Sequence, residues 1–453
     1  MPKKKTALTI EERLQQALVP AEEQPYEVPE NWVWVRLGDV NKYISKSVNP
    51  ISEPDKIFEL YSVPSMVDNY PEIIAGSDIG SSKQSVCKKD VLLCKINPRI
   101  NRVWKVSQFT DNELIASSEW IVIRNNHIDA NYLMYCFQSK YFREFMLSNV
   151  SGVGGSLMRA QPKYVQTYPI PLPPLSEQQR IVERIEELFA KLDEAKERLQ
   201  EVADSFAVRK AAILHKAFTG ELTKQWRLEN GVSDESWEEK TIGEICSSLK
   251  YGTSKKSSDD GEVVVLRMGN LQNGEIDWSN LAYTSDEEDI KKYLLKSGDV
   301  LFNRTNSPEL VGKTSIYRGE MPAIYAGYLI KLDYEKNIVV GDYLNYYLNS
   351  SKAKEYYMQV KTDGVSQSNI NAKKIGEFEI PLPTLSEQHE IVRLIDELLA
   401  RERKAQQATE QALASIDLMK KSILARAFRG ELGTNKASEA SALELLRQVL
   451  AEG

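Results

Sequence analysis

The sequence predicts an α+β protein with an internal pseudo-two-fold repeat. In it, two α/β globules are separated by two long helices that pair as an antiparallel coiled coil. Three observations carry this reading. Pro-Leu-Pro-Pro-Leu-Ser-Glu-Gln begins at Pro171 and Pro-Leu-Pro-Thr-Leu-Ser-Glu-Gln at Pro381, 210 residues later. Ala-Phe-Thr-Gly-Glu-Leu ends at Leu222 and Ala-Phe-Arg-Gly-Glu-Leu at Leu432, again 210 apart, so the two blocks repeat without an insertion. Each block also spaces its apolar residues 4-3-4-3, the 3.5-residue period of a coiled coil.

The 453 residues are too many for one ordinary core. The repeat divides them into an N-terminal arm with a short helix (1–31), a first globule (32–175), a first long helix (176–222), a second globule (223–385), a second long helix (386–432) and a C-terminal tail with a short helix (433–453). In the arm and tail, Thr9–Leu18 loosely resembles Ser441–Leu450, and both read as short amphipathic helices. The globules share an outline. Trp32–Val40 parallels Trp237–Ile245, Asp90-Val-Leu-Leu-Cys-Lys parallels Asp299-Val-Leu-Phe-Asn-Arg, and Tyr132-Leu-Met-Tyr parallels Tyr343-Leu-Asn-Tyr. Runs such as Trp120-Ile-Val-Ile and Val263-Val-Val-Leu, between Gly, Asn, Asp and Ser turns, indicate strands.

The long helices are entered through prolines, which keep the preceding residues extended. Ser176 and Ser386 are the expected N-caps, with Gln179 completing a capping box in the first copy and His389 standing in its place in the second. Gly220 and Gly430 suit the left-handed position that stops a helix. About 42 residues between cap and stop give roughly 63 Å of helix at ~1.5 Å per residue. The first seam runs Ile181, Ile185, Leu188, Leu192, Ala195, Leu199, Val202, Phe206, Arg209, Ile213. The second runs Ile391, Ile395, Leu398, Glu402, Ala405, Thr409, Ala412, Ile416, Met419, Ile423. In an antiparallel pair, Arg209 and Glu402 can meet as a polar contact that fixes alignment; a homodimeric coiled coil is the competing arrangement.

Composition narrows the class. Hydrophobic content of 42% with 27% charged residues fits a globular protein with long helix. No run of about 18 apolar residues predicts a membrane span. The basic Met1–Lys5 is not followed by a signal-peptide stretch, so a cytoplasmic location is expected. Cys87, Cys94, Cys136 and Cys246 form no Cys-x-x-Cys pair and do not cluster with His127, His215 and His389. No metal site or disulfide framework is expected, and the thiols read as buried and free. Gly312-Lys313-Thr314 imitates a phosphate-binding loop, but Ser307 stands where the first glycine is needed. No adenine-methylase tetrapeptide, Gly-x-Gly-x-x-Gly or His-Glu-x-x-His is present, so no catalytic residues are assigned.

The paired Pro-Leu-Pro-x-Leu-Ser-Glu-Gln-x-x-Ile-Val entries, and the alternation of globule and long helix, resemble the specificity subunits of type I restriction-modification systems. In the second globule, Tyr251-Gly-Thr-Ser-Lys-Lys, Leu266-Arg-Met-Gly-Asn and the stretch Leu301–Thr314 are similar to a recurrent recognition-domain type of that family. The resemblance implies that the globules are target-recognition domains, each reading one half of a bipartite double-stranded DNA target. It implies that the helices set the spacing between the halves. It also implies partners: two adenine N6-methyltransferase (modification) subunits using S-adenosylmethionine, and restriction (motor-nuclease) subunits using ATP with magnesium. This chain would itself be non-catalytic and bind no cofactor.

Net charge is −7, which runs against a DNA binder, so only local patches inform. Residues 83–105 hold seven Lys/Arg and one acid. Lys83, Lys95, Asn97, Arg99, Asn101, Arg102 and Lys105, with Trp104 interleaved, suit phosphate and base-edge contacts. Arg159 follows the glycine-rich Gly152-Val-Gly-Gly-Ser. In the second globule the candidates are Tyr251, Thr253, Lys255, Lys256, Arg267, Asn270, Arg304, Asn306 and Lys313, with Gln367 and Asn369 on a turn. For each, a solvated surface residue is the plain alternative. Two other functions stay open from the sequence: an enzyme acting on DNA, which activity of the purified chain would reveal, and a scaffold without nucleic acid, which salt-dependent duplex binding would exclude.

Overall fold

The computed structural model describes residues 8–151, 158–365 and 367–452. Two compact units result. Unit 1 comprises residues 1–199 and 412–453, and unit 2 comprises residues 200–411. Each long helix is shared: Leu175–Phe218 and Leu385–Ala427 both contribute one end to each unit.

Unit 1 begins with the helix Ile10–Ala17, capped by Thr9 and Glu12 in a capping box. It packs through Leu14 and Ala17 on the core that also receives Leu446 and Val449 of the helix Ala442–Ala451. The globule holds a five-stranded sheet in the order Ser47–Val48, Lys83–Ser85, Glu113–Ala116, Ile57–Tyr61, Glu72–Ala75, with one parallel pair at its centre. A three-stranded sheet places Val91–Cys94 between Val103–Lys105 and Trp120–Ile123. Its middle strand is apolar throughout because both faces are covered.

Unit 2 repeats this plan. Val300–Asn303 lies in a four-stranded sheet with Cys246–Tyr251, Leu329–Tyr334 and Thr314–Ile316. Val263–Leu266 pairs parallel with Ala323–Tyr325. The matched words of the sequence occupy matched places. Cys87 N–H donates to Asp90 at 2.8 Å, and Lys296 N–H donates to Asp299 at 2.9 Å, each turning the chain into the apolar strand that follows.

The proline-rich entries form short ribbons. Pro169–Leu172 pairs with Val33–Arg36, and Glu379–Leu382 pairs with Glu238–Thr241. Proline has no N–H, so the free edge of such a strand offers carbonyls and wants donors. Buried tyrosines supply them: Tyr132 Oη donates to Pro171 O at 2.7 Å and Tyr343 Oη to Pro381 O at 2.6 Å.

The helix starts differ from expectation. Leu175 and Leu385 are already helical, so Ser176 and Ser386 are not caps. Glu177 N–H and Gln178 N–H both reach Pro174 O. In the second copy Thr384 precedes the helix, and its Oγ1 accepts from Glu387 N–H at 3.4 Å. The next two residues do the anchoring. Gln178 Oε1 accepts Asp129 N–H, and Gln388 Oε1 accepts Val340 N–H, both at 2.8 Å. Each amide then donates to a proline carbonyl at 2.9 Å. These bonds tie each helix start to the N-terminal turn of the helix carrying the tyrosine.

Glu177 and Glu387 are fully buried but differently held. Glu177 accepts Trp32 Nε1–H and Asn435 Nδ2–H, both at 2.8 Å, and burial raises its pKa. A carboxyl raised in the folded state stabilises fully below its ordinary pKa, and that contribution is lost as pH rises through the folded value. Relative to Glu177→Gln, the wild type should therefore lose stability as pH rises above the ordinary glutamate range of about 4.3. Urea unfolding across that rise checks this; a difference that does not change with pH would refute it.

At the other ends, Gly220 and Gly430 take positive φ, 77° and 74°. Within each unit the long-helix segments run antiparallel. In unit 1 Lys420 Nζ contacts Asp193 Oδ1 at 2.5 Å, and Lys196 lies 3.9 Å from Asp417. In unit 2 Arg209 Nη2 lies 2.9 Å from Glu402 Oε2, with its guanidinium 4.5 Å from the Phe206 ring centre. The apolar stripe rotates away from the strict seam, because a 3.6-residue helix drifts about 20° per heptad. Leu214, Leu399 and Leu424 are buried, beside half-buried Ile213, Leu398 and Ile423. Val202 is 41% exposed and Met419 is 49% exposed, so neither is a seam residue. Met419 instead lines an open groove in unit 1 with Leu188, Leu192 and Ile423.

The Arg209–Glu402 pair is partly solvated, so its worth is modest. A double-mutant cycle with Arg209→Leu and Glu402→Leu should give a coupling of about 0.5–1 kcal/mol. Additive thermal shifts would show that the pair does not fix the register.

Candidate nucleic-acid interface

Unit 1 builds its surface from the end of the apolar strand. Beyond Cys94 the chain turns through Pro98–Ile100, flanked by left-handed Asn97 and Asn101 at φ 47° and 50°. Asn97 N–H donates to Met158 O, and Ala160 N–H donates to Lys95 O, both at 2.8 Å. The turn is thereby clamped to the short strand Arg159–Ala160. Arg99 is exposed at the tip, with Lys95 and Arg102 half-exposed behind it. The glycine-rich Gly152–Ser156 lies outside the described residues.

Several unit 1 candidates have structural partners. Arg159 pairs with Glu119 at 3.3 Å, Lys105 Nζ donates to Asn131 at 2.5 Å, and Asn101 Nδ2 donates to Gln138 O. Lys83 sits in the five-stranded sheet, where its ammonium donates to Ser81. The seven cations therefore do not form one patch. Trp104 belongs to the core with Tyr61 and Trp120, because alternation on its strand turns it inward.

Unit 2 has the same construction. Asn303 leads into Arg304, Thr305–Asn306 pairs with Ser368–Asn369, and Thr362–Asp363 completes a small sheet. Asn369 Nδ2 donates to Thr305 Oγ1 at 2.8 Å, and Gln367 is exposed at the turn. The Arg304 guanidinium lies 4.8 Å from the Tyr251 ring centre, with its Nε buried and unbonded. Arg304 N–H donates to Tyr328 O at 3.0 Å. Tyr328, 51% exposed, borders a cleft of about 300 Å³ with Arg267, Met268 and Asn280. Tyr251, Arg267, Arg304, Asn306, Gln367 and Asn369 are thus brought to one surface.

Four candidates are committed elsewhere. Thr253 is buried and donates to Asp289. Asn270 is buried and holds a turn through Asp277 O and Asn280 O. Lys255 is ion-paired with Asp286 at 2.7 Å, which raises its pKa. Lys313 donates to Gln272 at 3.0 Å. Lys256 is exposed. The sequence reading missed Tyr328; the available signal was an aromatic after Ala-Gly, at the start of a strand.

Thr314 opens a strand, whereas a phosphate-binding loop opens a helix, so Gly312-Lys313-Thr314 is not such a loop. Gly312 is glycine because a Cβ would meet the Tyr357 ring at 2.3 Å and because its φ is 93°. Cys87 is exposed, against the expectation of buried thiols; Cys94 and Cys136 are buried and Cys246 is half-buried, all free. Among the described residues, no cluster of three or more His, Cys, Asp or Glu suits a metal, and no helix is long and apolar enough to cross a membrane.

The geometry defines a class: a recognition scaffold built twice from one plan, with the repeated residues in the frame and the unlike ones on the outer turns. The sequence profile of the type I restriction modification DNA specificity domain matches residues 29–204 and again 234–412. The chain belongs to that family and carries two such domains. It is 28% identical over 338 residues to the type I restriction enzyme StySPI specificity subunit of Salmonella potsdam, covering 72% of each chain. It is 26% identical over 410 residues to the MjaVIII specificity subunit of Methanocaldococcus jannaschii, covering 86% of this chain and 92% of that one. The HsdS subunit from Thermoanaerobacter tengcongensis has the same fold, with a TM-score of 0.65 and 23% identity over 90% of this chain and 99% of that one. A chain from a study of type I R-M complex assembly and conformational transition matches with a TM-score of 0.71 at 22% identity, over 90% and 100%. Specificity is a non-catalytic role within these complexes.

Proposed function

We propose that each unit reads one half of a bipartite DNA target, and that the paired long helices set the spacing and dock two adenine N6-methyltransferase subunits, with restriction subunits joining them. S-adenosylmethionine, and ATP with magnesium, would serve on those partners, in the cytoplasm. The observation that carries this is the double match of the specificity domain onto two units whose frames agree and whose surface turns do not. Two non-identical readers on one chain suit an asymmetric split site. Direct readout falls to Arg304, Asn306, Gln367 and Asn369 in unit 2, and to Lys95, Arg99 and Arg102 with Arg159 in unit 1.

The test is to map methylated adenines in cells supplying the partner subunits, with wild-type chain or Asn306→Ala/Gln367→Ala. The expected result is relaxed sequence preference in one half-site and an unchanged second half. Equal change in both halves, or none, would overturn the assignment.

A further inference from the structure

The 210-residue offset pairs Lys420 with Lys210, and Asp193 with Arg403. In unit 1 these positions form the Lys420–Asp193 ion pair. In unit 2 they hold two cations. A third, Lys354 on the helix Ser351–Val360, stands beside them. Packing and the like charges of Lys354 and Arg403 push the Lys210 ammonium below its ordinary pKa. No described residue forms an ion pair with Lys210, Lys354 or Arg403. Lys210 and Lys354 line a cleft of about 320 Å³ with Lys313, Asn349 and Ser351; Glu309 is its one acidic wall residue. Ser351 brings the positive, N-terminal end of the Ser351–Val360 helix to the cleft wall. An ion pair has been exchanged for converging positive charge, an arrangement that an anion would stabilise.

We infer that this cleft binds a phosphate of the sugar–phosphate backbone of the duplex read by unit 2. The inference rests on the reading of unit 2 as a DNA reader. The link is a single loop. Asn303 N–H donates to Lys313 O at 2.8 Å and Gly312 N–H to Asn303 O at 2.9 Å. These bonds close the hairpin that carries Arg304 and Asn306 at one end and Lys313 at the other. The base-reading turn and the cleft are therefore joined by the same ten residues. A phosphate contact here adds affinity without sequence preference.

The test uses the full chain assembled with its methyltransferase partners. Arg403→Asp restores in unit 2 the pair that unit 1 makes, and Lys210→Gln/Lys354→Gln removes the cations without adding charge. Both should reduce the slope of log K against log salt by about 0.9 per lost phosphate contact. Target affinity should fall while the ratio of target to non-target affinity is kept. Arg304→Ala, measured alongside, should lower that ratio. Unchanged slopes in both cleft variants, with Arg304→Ala defective, would overturn the phosphate site and leave the DNA reading standing. If wild-type complex does not prefer any duplex, both fall. Inorganic phosphate supplies the last arm: if it raises the wild-type melting temperature, but not that of Arg403→Asp, while the DNA salt slopes agree, the cleft takes a free anion and the DNA source is refuted.

Discussion

Glu387→Ala is expected to destabilise unit 2 by about 3–5 kcal/mol, the cost of leaving a buried partner charge uncompensated. Glu387 is completely buried at the start of the second long helix. Its Oε1 accepts from Arg227 Nη1 and from Thr223 Oγ1, both at 2.6 Å, and its Oε2 from Trp237 Nε1 at 3.1 Å. The Arg227 side chain is only 8% exposed, and its other partner is Asp234 on the surface. Removing the carboxylate strands a guanidinium, a hydroxyl and an indole N–H together. Glu387→Gln keeps the shape and should lose about 2–3 kcal/mol, since it still leaves the guanidinium without its charge partner. The unit 1 counterpart has no cation in direct hydrogen-bond contact, so Glu177→Gln should cost about 1 kcal/mol. Thermal and urea unfolding of the three variants give the ranking. Equal losses at 177 and 387 would mean that Arg227 does not depend on its partner.

Arg304→Ala should weaken binding to the correct duplex by about 1–3 kcal/mol, about 5- to 150-fold, and relax preference in the unit 2 half-site. The guanidinium is pre-positioned against the Tyr251 ring, with Nη1 at 3.5 Å from Gly327 O, so little is spent ordering it. Lys256→Ala should instead weaken all duplexes alike, as loss of a phosphate contact does. Competition binding at two salt concentrations separates these outcomes. An Arg304→Ala complex that keeps full discrimination would remove Arg304 from the reading surface.

The frame was legible because it is written twice. Matched words at one offset located the long helices, and the parallels Trp32/Trp237 and Tyr132/Tyr343 marked positions that prove to carry equivalent bonds. What those parallels meant was not legible. Trp32 donates to a carboxylate 145 residues away, and a motif gives no partner at such a distance. For the same reason Ser176 looked like a cap, and the anchoring roles of Glu177 and Gln178 could not be read from the motif. On the turns, Thr253 and Asn270 could not be told from Arg304 and Asn306. All four are polar residues in loop-like words, and only long-range packing turns the first two inward. The seam was read as a rigid 3.5 repeat, so the slow rotation that exposes Met419 and buries Leu399, Leu214 and Leu424 was invisible.

The two crossings of the long helices are not interchangeable, and this bears on how copies avoid entangling during synthesis. Within one molecule Arg209 meets Glu402, and Leu192 shares an apolar groove with Met419. If first helices from two molecules paired antiparallel in the same register, Leu192 would fall opposite Arg209. If second helices did so, Glu402 would fall opposite Met419. Each mistaken partnership loses the Arg209–Glu402 pair and sets one of its charges against an aliphatic position, Leu192 or the half-exposed Met419. Similar segments in one polypeptide invite strand exchange between neighbours, and the unlike charges of Arg209 and Glu402 weigh against it here.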